Sequence, residues 1–115
     1  MQPKVVTVSD ASGGIKYSSW VRLDNWAPGG VAVQCVVTGT VSYTLQQTLD
    51  DPNSPTNPVA VNSVTWFPCA DTNVVNAIAS AQTNYQFAPI FCRIALASGS
   101  GSVTGTFVQH SVVPL

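Results

Sequence analysis

Apolar and polar residues alternate along much of this chain with a period of two, and the clearest instance runs from Val41 to Leu49. Val41, Tyr43, Leu45 and Leu49 fall on one side of an extended chain, with Ser42, Thr44, Gln46 and Thr48 between them. Only a strand converts that spacing into one buried and one wet face. Asp50, Asp51 and Pro52 predict its end, because aspartate caps turns and proline has no amide for a ladder. The chain is expected to re-enter a sheet at Ser63, where Val64, Trp66 and Phe67 lead up to Pro68. Trp66 in this run is assigned to the core, as buried strand tryptophans of sandwiches are.

Val31 to Val37 is almost continuously apolar, which predicts a central strand. Thr38, Gly39 and Thr40 then make a short turn, so this strand and the next are expected to form a hairpin. Beyond Phe87 and Pro89, Ile90, Cys92, Ile94 and Leu96 alternate with Phe91, Arg93, Ala95 and Ala97, which places Arg93 outward. Ser98 to Ser102 reads as a hairpin loop into a last strand, Val103 to Val108, with Val112 and Val113 extending it. Lys4 to Ser9 is a first strand or part of an arm, residues 1–13, that reaches a neighbouring subunit. Residues 15–23 are mixed, and DNWAPGG after them is turn-rich. ADTNVVNAIASAQTN, from Ala70, is expected to be a loop with a short strand or a helical turn. About seven or eight short strands with turn residues roughly every ten positions predict one antiparallel β-sandwich over residues 1–115, of jelly-roll type. Its expected core comprises Cys35, Val37, Val41, Tyr43, Leu45, Ile90, Cys92, Ile94 and Phe107.

Composition changes the picture of the surface. Only 8% of the 115 residues are charged, against roughly a quarter in soluble proteins, so most of the surface is neutral. Four Lys or Arg against five acidic residues, for a net charge of -1, leave no basic patch. Neither nucleic acid nor a polybasic membrane contact is therefore expected. Charge repulsion is what keeps small domains apart, and its scarcity points to an assembly component. The expected partner is the chain itself, as a homotrimer built on apolar and Ser/Thr surfaces. MQPKVVTVSDASGG lacks the apolar run of a signal peptide, and no stretch approaches the roughly 18 apolar residues of a spanning helix. A cytosol-like compartment is the expectation.

Candidate chemistry is sparse. Cys35, Cys69 and Cys92 are an odd number at wide spacing without a CxxC pair, so they are expected to be reduced, with Cys69 partly exposed. The one histidine, His110, has no nucleophile elbow beside it. Asp50 and Asp51 are too few for calcium and fit turn capping. Without glutamate, a glycosidase pair would need two of the scattered aspartates. No catalytic residue, metal or cofactor is expected. Trp20 and Trp26, the latter beside Asp24 and Asn25, are the candidates for a carbohydrate platform. Trp20, Trp26, Pro28, Pro52, Pro55 and Pro58 make up the expected interface, since stiff loops lose little entropy on docking.

One order of residues carries a resemblance. Thr48, Asp50, Asp51 and Pro52, a Pro/Asn/Thr loop, Thr65 to Pro68, Phe87 with Ile90 and Arg93, Gly101 to Thr104, and closing Val108 and Gln109 together resemble small structural proteins of tailed bacteriophages. The likeness runs from Tyr43 onward. It implies a jelly-roll virion protein made in the host cytoplasm, of the decoration or cement type, seated on the major capsid protein, often as a trimer. A head-to-tail, tail or fibre component is the neighbouring possibility within the same resemblance.

Overall fold

The computed structural model describes residues 3–23, 30–86 and 89–109. The chain forms two antiparallel sheets that face each other across one core. The first sheet has the order β1 (Lys4–Ser9), β9 (Ser102–Gln109), β4 (Val31–Thr38), β7 (Ala81–Tyr85). The second has β2 (Lys16–Tyr17) and β3 (Val21–Arg22) side by side along one edge of β8 (Phe91–Ser98), then β5 (Ser42–Thr48) and the short β6 (Phe67–Pro68). Counted as one interrupted edge strand, β2 and β3 give an eight-stranded jelly roll, in which first pairs with last and second with second-last.

The interruption has a visible cause. The register slips by one residue between the Tyr17–Ala95 and Val21–Cys92 pairs. In the gap Ser18 donates its amide to the Ile94 carbonyl (2.9 Å), while its hydroxyl accepts the Ile94 amide (2.9 Å). A bulge of this kind re-aims the residues beside it, and here it turns Trp20 onto the outer face of the sheet.

Alternation builds the core. Val31, Val33 and Cys35 of β4, Val103 and Phe107 of β9, Tyr43 and Leu45 of β5, and Cys92, Ile94 and Leu96 of β8 are buried between the sheets. Of the expected core, Val37 packs against this cluster only partly buried, and Ile90 is half-buried. Gly105 sits under Ile94: a Cβ there would lie 2.5 Å from Ile94 Cδ1 and 3.2 Å from Phe107 Cε1. Tyr43 spans the layer, donating its hydroxyl to the Ala79 carbonyl (2.9 Å) beside the Cys35 thiol.

Several expectations are corrected. Neither β4 with β5 nor β8 with β9 is a hairpin: each pair lies in different sheets. Turn residues signal a reversal but not which sheet the chain enters next. Gly99 serves such a crossing, with φ +104 and no room for a Cβ against the Thr40 carbonyl oxygen. The strand expected from Ser63 is only Phe67–Pro68, preceded by a 3-10 turn at Val61–Ser63. After Cys69, whose amide bonds to the Leu45 carbonyl (2.8 Å), a 3-10 turn at Thr72–Val74 precedes β7, so both open alternatives for that segment occur. Leu49 is 68% exposed, because β5 ends at Thr48. Cys69 is buried at 6% exposure rather than partly exposed. Lys4–Ser9 pairs with β9 of its own chain. His110, Phe87, Val112 and Val113 lie outside the described residues.

Candidate functional site

The outer faces of the two sheets differ sharply. On the four-stranded sheet the outward positions carry Val5 and Thr7, Thr104 and Thr106, Gln34 and Val36, and their like, with no charged side chain at these positions. Thr7 and Thr104 share a hydroxyl contact of 3.1 Å. On the five-stranded sheet, Phe91, Arg93 and Ala95 of β8 point outward, and Phe91 and Ala95 are nevertheless buried. A second, smaller aromatic layer covers them.

That layer draws on three separate parts of the chain. Trp20, from the interrupted edge, meets Trp66 edge-on with ring centroids 5.1 Å apart at 72°. Trp20 also meets the Phe91 ring at 5.2 Å and 60°. Edge-to-face pairs of this sort contribute roughly 0.5–1.5 kcal/mol beyond area burial. The Arg93 guanidinium lies between two rings, 4.0 Å from the Tyr17 centroid and 4.1 Å from that of Trp66. Its Nε donates to Gln46 Oε1 on the neighbouring strand at 2.8 Å. Burial pulls the Arg93 pKa down and the Tyr17 hydroxyl pushes it back up, and an arginine so placed stays protonated. Arg93 does face outward, as its position in β8 implies, but under a ring rather than into free water.

Arg22 is the second cation of this face. Its guanidinium carbon is 5.2 Å from the Phe91 centroid, and its two terminal nitrogens donate to the two Asp51 carboxylate oxygens at 3.2 and 3.3 Å. This fork ties the proline loop to the sheet. Within the loop Asp51 accepts from Asn53 (2.9 Å) and, through its carbonyl, from Ser54 (3.2 Å) and Val59 (3.3 Å). The Asp50 carboxylate accepts from the Thr65 amide at 2.8 Å. Asp51 therefore caps its turn, as its sequence context implies, while Asp50 ties the two ends of the loop together.

Of the expected interface residues, Trp20 is half-buried in the aromatic layer, Pro52 is half-buried, and Pro55 and Pro58 are exposed on the adjoining loop. Trp26 and Pro28, with Asp24 and Asn25, lie outside the described residues. Trp66 corrects its core assignment: it lies on the outer face of the sheet, half-buried. Tyr17 and Arg93, which no local motif singled out, complete the cluster. The signal for them was β8 itself, apolar at both parities, which requires cover on both faces.

Elsewhere the surface offers little enclosure. An open hollow of about 520 Å³ between the end of β5 and β7 is lined by Gln47, Cys69, Asp71, Thr83 and Tyr85 among others. The Tyr85 hydroxyl there donates to Gln47 Oε1 (2.9 Å), and a hydrogen bond from Thr83, then one from the Asn73 amide, hold the Asp71 carboxyl below its ordinary range. No group of three or more His, Cys, Asp or Glu that could hold a metal occurs among the described residues. No helix among them is long and apolar enough to cross a membrane. No protein-family model matches the chain, and no curated protein matches it.

Proposed function

We propose that this protein is a structural component of a bacteriophage particle, a decoration protein that docks on the major capsid protein and clamps neighbouring shell subunits. The observation that carries the reading is the layer of Trp20, Trp66, Tyr17 and Arg93 on the outer face of the five-stranded sheet. Tryptophan, tyrosine and arginine are the residues on which binding energy concentrates, and side chains already held by neighbouring rings and hydrogen bonds lose little order on docking. Pro52, Pro55 and Pro58 flank the layer through the Arg22–Asp51 fork and extend the contact. The charge-free outer face of the four-stranded sheet suits contact with further copies, as in a trimer. The resemblance to small virion proteins points the same way, and jelly rolls are common in virus shells, although a fold alone assigns no function. Each contact can stay below a standard interface of roughly 1,600 Å², because several linked contacts bind far more tightly than one.

The test is to mix the purified protein with undecorated expanded capsids. Saturable binding at a fixed copy number per capsomer supports the reading. Binding at one vertex or only to tails moves the protein to a connector or fibre, and no binding to any part of the particle rejects it. A second reading, a carbohydrate-binding module, draws on the half-exposed Tyr17 ring (51%). Against it, Trp20 and Trp66 pack edge-on rather than as an open platform. A glycan array that stays dark for the wild-type protein rejects it, and a signal lost in Trp20→Ala supports it.

A further inference from the structure

We propose that the Arg93 clamp is a carboxylate receptor and that it takes an acidic side chain of the shell protein, an assignment that rests on the docking reading above. Two rings hold the guanidinium carbon at 4.0 and 4.1 Å, and the Nε bond to Gln46 anchors the group on one side. Of the five N–H donors of an arginine, those on Nη1 and Nη2 have no hydrogen-bond partner among the described residues. That pair is the edge which forks onto a carboxylate.

Among the described residues the Arg93 charge also has no carboxylate partner. Arg22 with Asp51 is the one ion pair among the described residues. The other aspartates among the described residues are occupied: Asp10 by Ser12, Asp50 by Thr65, Asp71 by Asn73. Arg22 shows what such a group takes on this same face, a guanidinium beside an aromatic ring that engages both oxygens of a carboxylate. Arg93 has the rings and, among the described residues, no carboxylate. A partly desolvated cation held in one geometry costs little further order when its counter-ion arrives. A protein surface supplies carboxylates rather than phosphates, which selects Asp or Glu as the partner group.

Two measurements test this. In the first, the arginine side-chain ¹⁵N resonances of the free protein are followed while sodium acetate replaces sodium chloride at constant ionic strength. Arg93 should shift saturably and Arg22, already filled by Asp51, should not. Equal shifts at the two arginines, or none at Arg93, overturn the receptor. In the second, shell binding is compared for wild type, Arg93→Gln, Arg93→Lys and Lys16→Gln, each checked for folding by its urea midpoint. Arg93→Gln should weaken binding about tenfold to a hundredfold. Arg93→Lys should recover only part of this, since an ammonium has no fork, and Lys16→Gln, with the same change of net charge, should stay within about threefold. Wild-type binding that Arg93→Gln leaves unchanged overturns the inference and leaves docking standing. Absent wild-type binding rejects the docking reading, while the acetate titration still decides whether Arg93 receives a carboxylate. Should Arg93→Gln not fold, the titration and Arg93→Lys decide.

Discussion

Gly105→Ala tests the sandwich itself, because the added methyl must enter the space that Ile94 of the opposite sheet occupies. The new Cβ would lie 2.5 Å from Ile94 Cδ1, more than 1 Å inside ordinary contact, and 3.2 Å from Phe107 Cε1. The Gly105 backbone is not among those with positive φ, so the cost is one of packing alone. Overpacking of a tight core costs about 1–3 kcal/mol, and the smaller entropy loss of alanine returns roughly 0.5–1 of it. The expected net loss is about 1–2 kcal/mol. Ile94→Val removes the clashing Cδ1 and alone costs about 0.5–1.5 kcal/mol for the lost methyl. In the double variant the alanine methyl fills the space the isoleucine methyl vacated. Gly105→Ala should therefore cost close to nothing in the Ile94→Val background, a coupling of about 1–2 kcal/mol. Urea midpoints read at a common slope measure all four corners of the cycle. Additivity within about 0.5 kcal/mol would show that β8 and β9 do not face each other as described.

Other outcomes follow from the same packing. Burial pushes the Cys35 thiol from its ordinary 9.0 up to about 11 and the Cys92 thiol up to about 12. The unfolded chain then ionises first, so stability is full below about pH 9 and falls as pH rises toward the folded values. The loss is ~1.4 kcal/mol per thiol per pH unit; a urea midpoint that is flat from pH 8 to 10.5 contradicts it. Cys35, Cys69 and Cys92 are all free and buried, so a thiol reagent should label the native protein only as fast as it opens, and rapid labelling of Cys69 would refute its burial. Gly99→Ala, at positive φ against the Thr40 carbonyl, should cost about 3 kcal/mol or more. Gly13→Ala, with open space around it, should be neutral or stabilising by about 0.4–1 kcal/mol; equal midpoints for the two would refute the loop geometry.

The β-sandwich was legible in the sequence because alternation in β5 and β8 and the apolar run of β4 are local signals that each strand carries alone. The sheet partners were not. Thr38 to Thr40 and Ser98 to Ser102 mark reversals equally well for a hairpin and for a crossing between sheets, and only the long-range pairing of β4 with β9 and of β5 with β8 distinguishes them. Trp66 was misplaced for a related reason. A tryptophan in a strand run reads as core, and nothing within reach of it in sequence announces Trp20 or Arg93, which the jelly roll brings to it from opposite ends of the chain. The turn role of Asp51, whose carboxylate accepts from the Asn53 amide two residues on, was readable, whereas the Thr65 partner of Asp50 and the Arg22 partner of Asp51 come from distant parts of the chain and were not.

The central claim is that the outer face of the five-stranded sheet is the docking surface, and side-chain oxidation footprinting of free and shell-bound protein tests it most directly. Hydroxyl radicals report the exposure of individual rings, and Tyr17 is half-exposed in the free protein. On binding, oxidation of Tyr17, Trp20 and Trp66 should fall severalfold, with Pro55 and Pro58 protected at the margin and Ile78, on another part of the surface, unchanged. Protection confined to Val5, Val36 and Val108 on the four-stranded sheet, with Tyr17 and both tryptophans still oxidised at the free rate, would contradict the account.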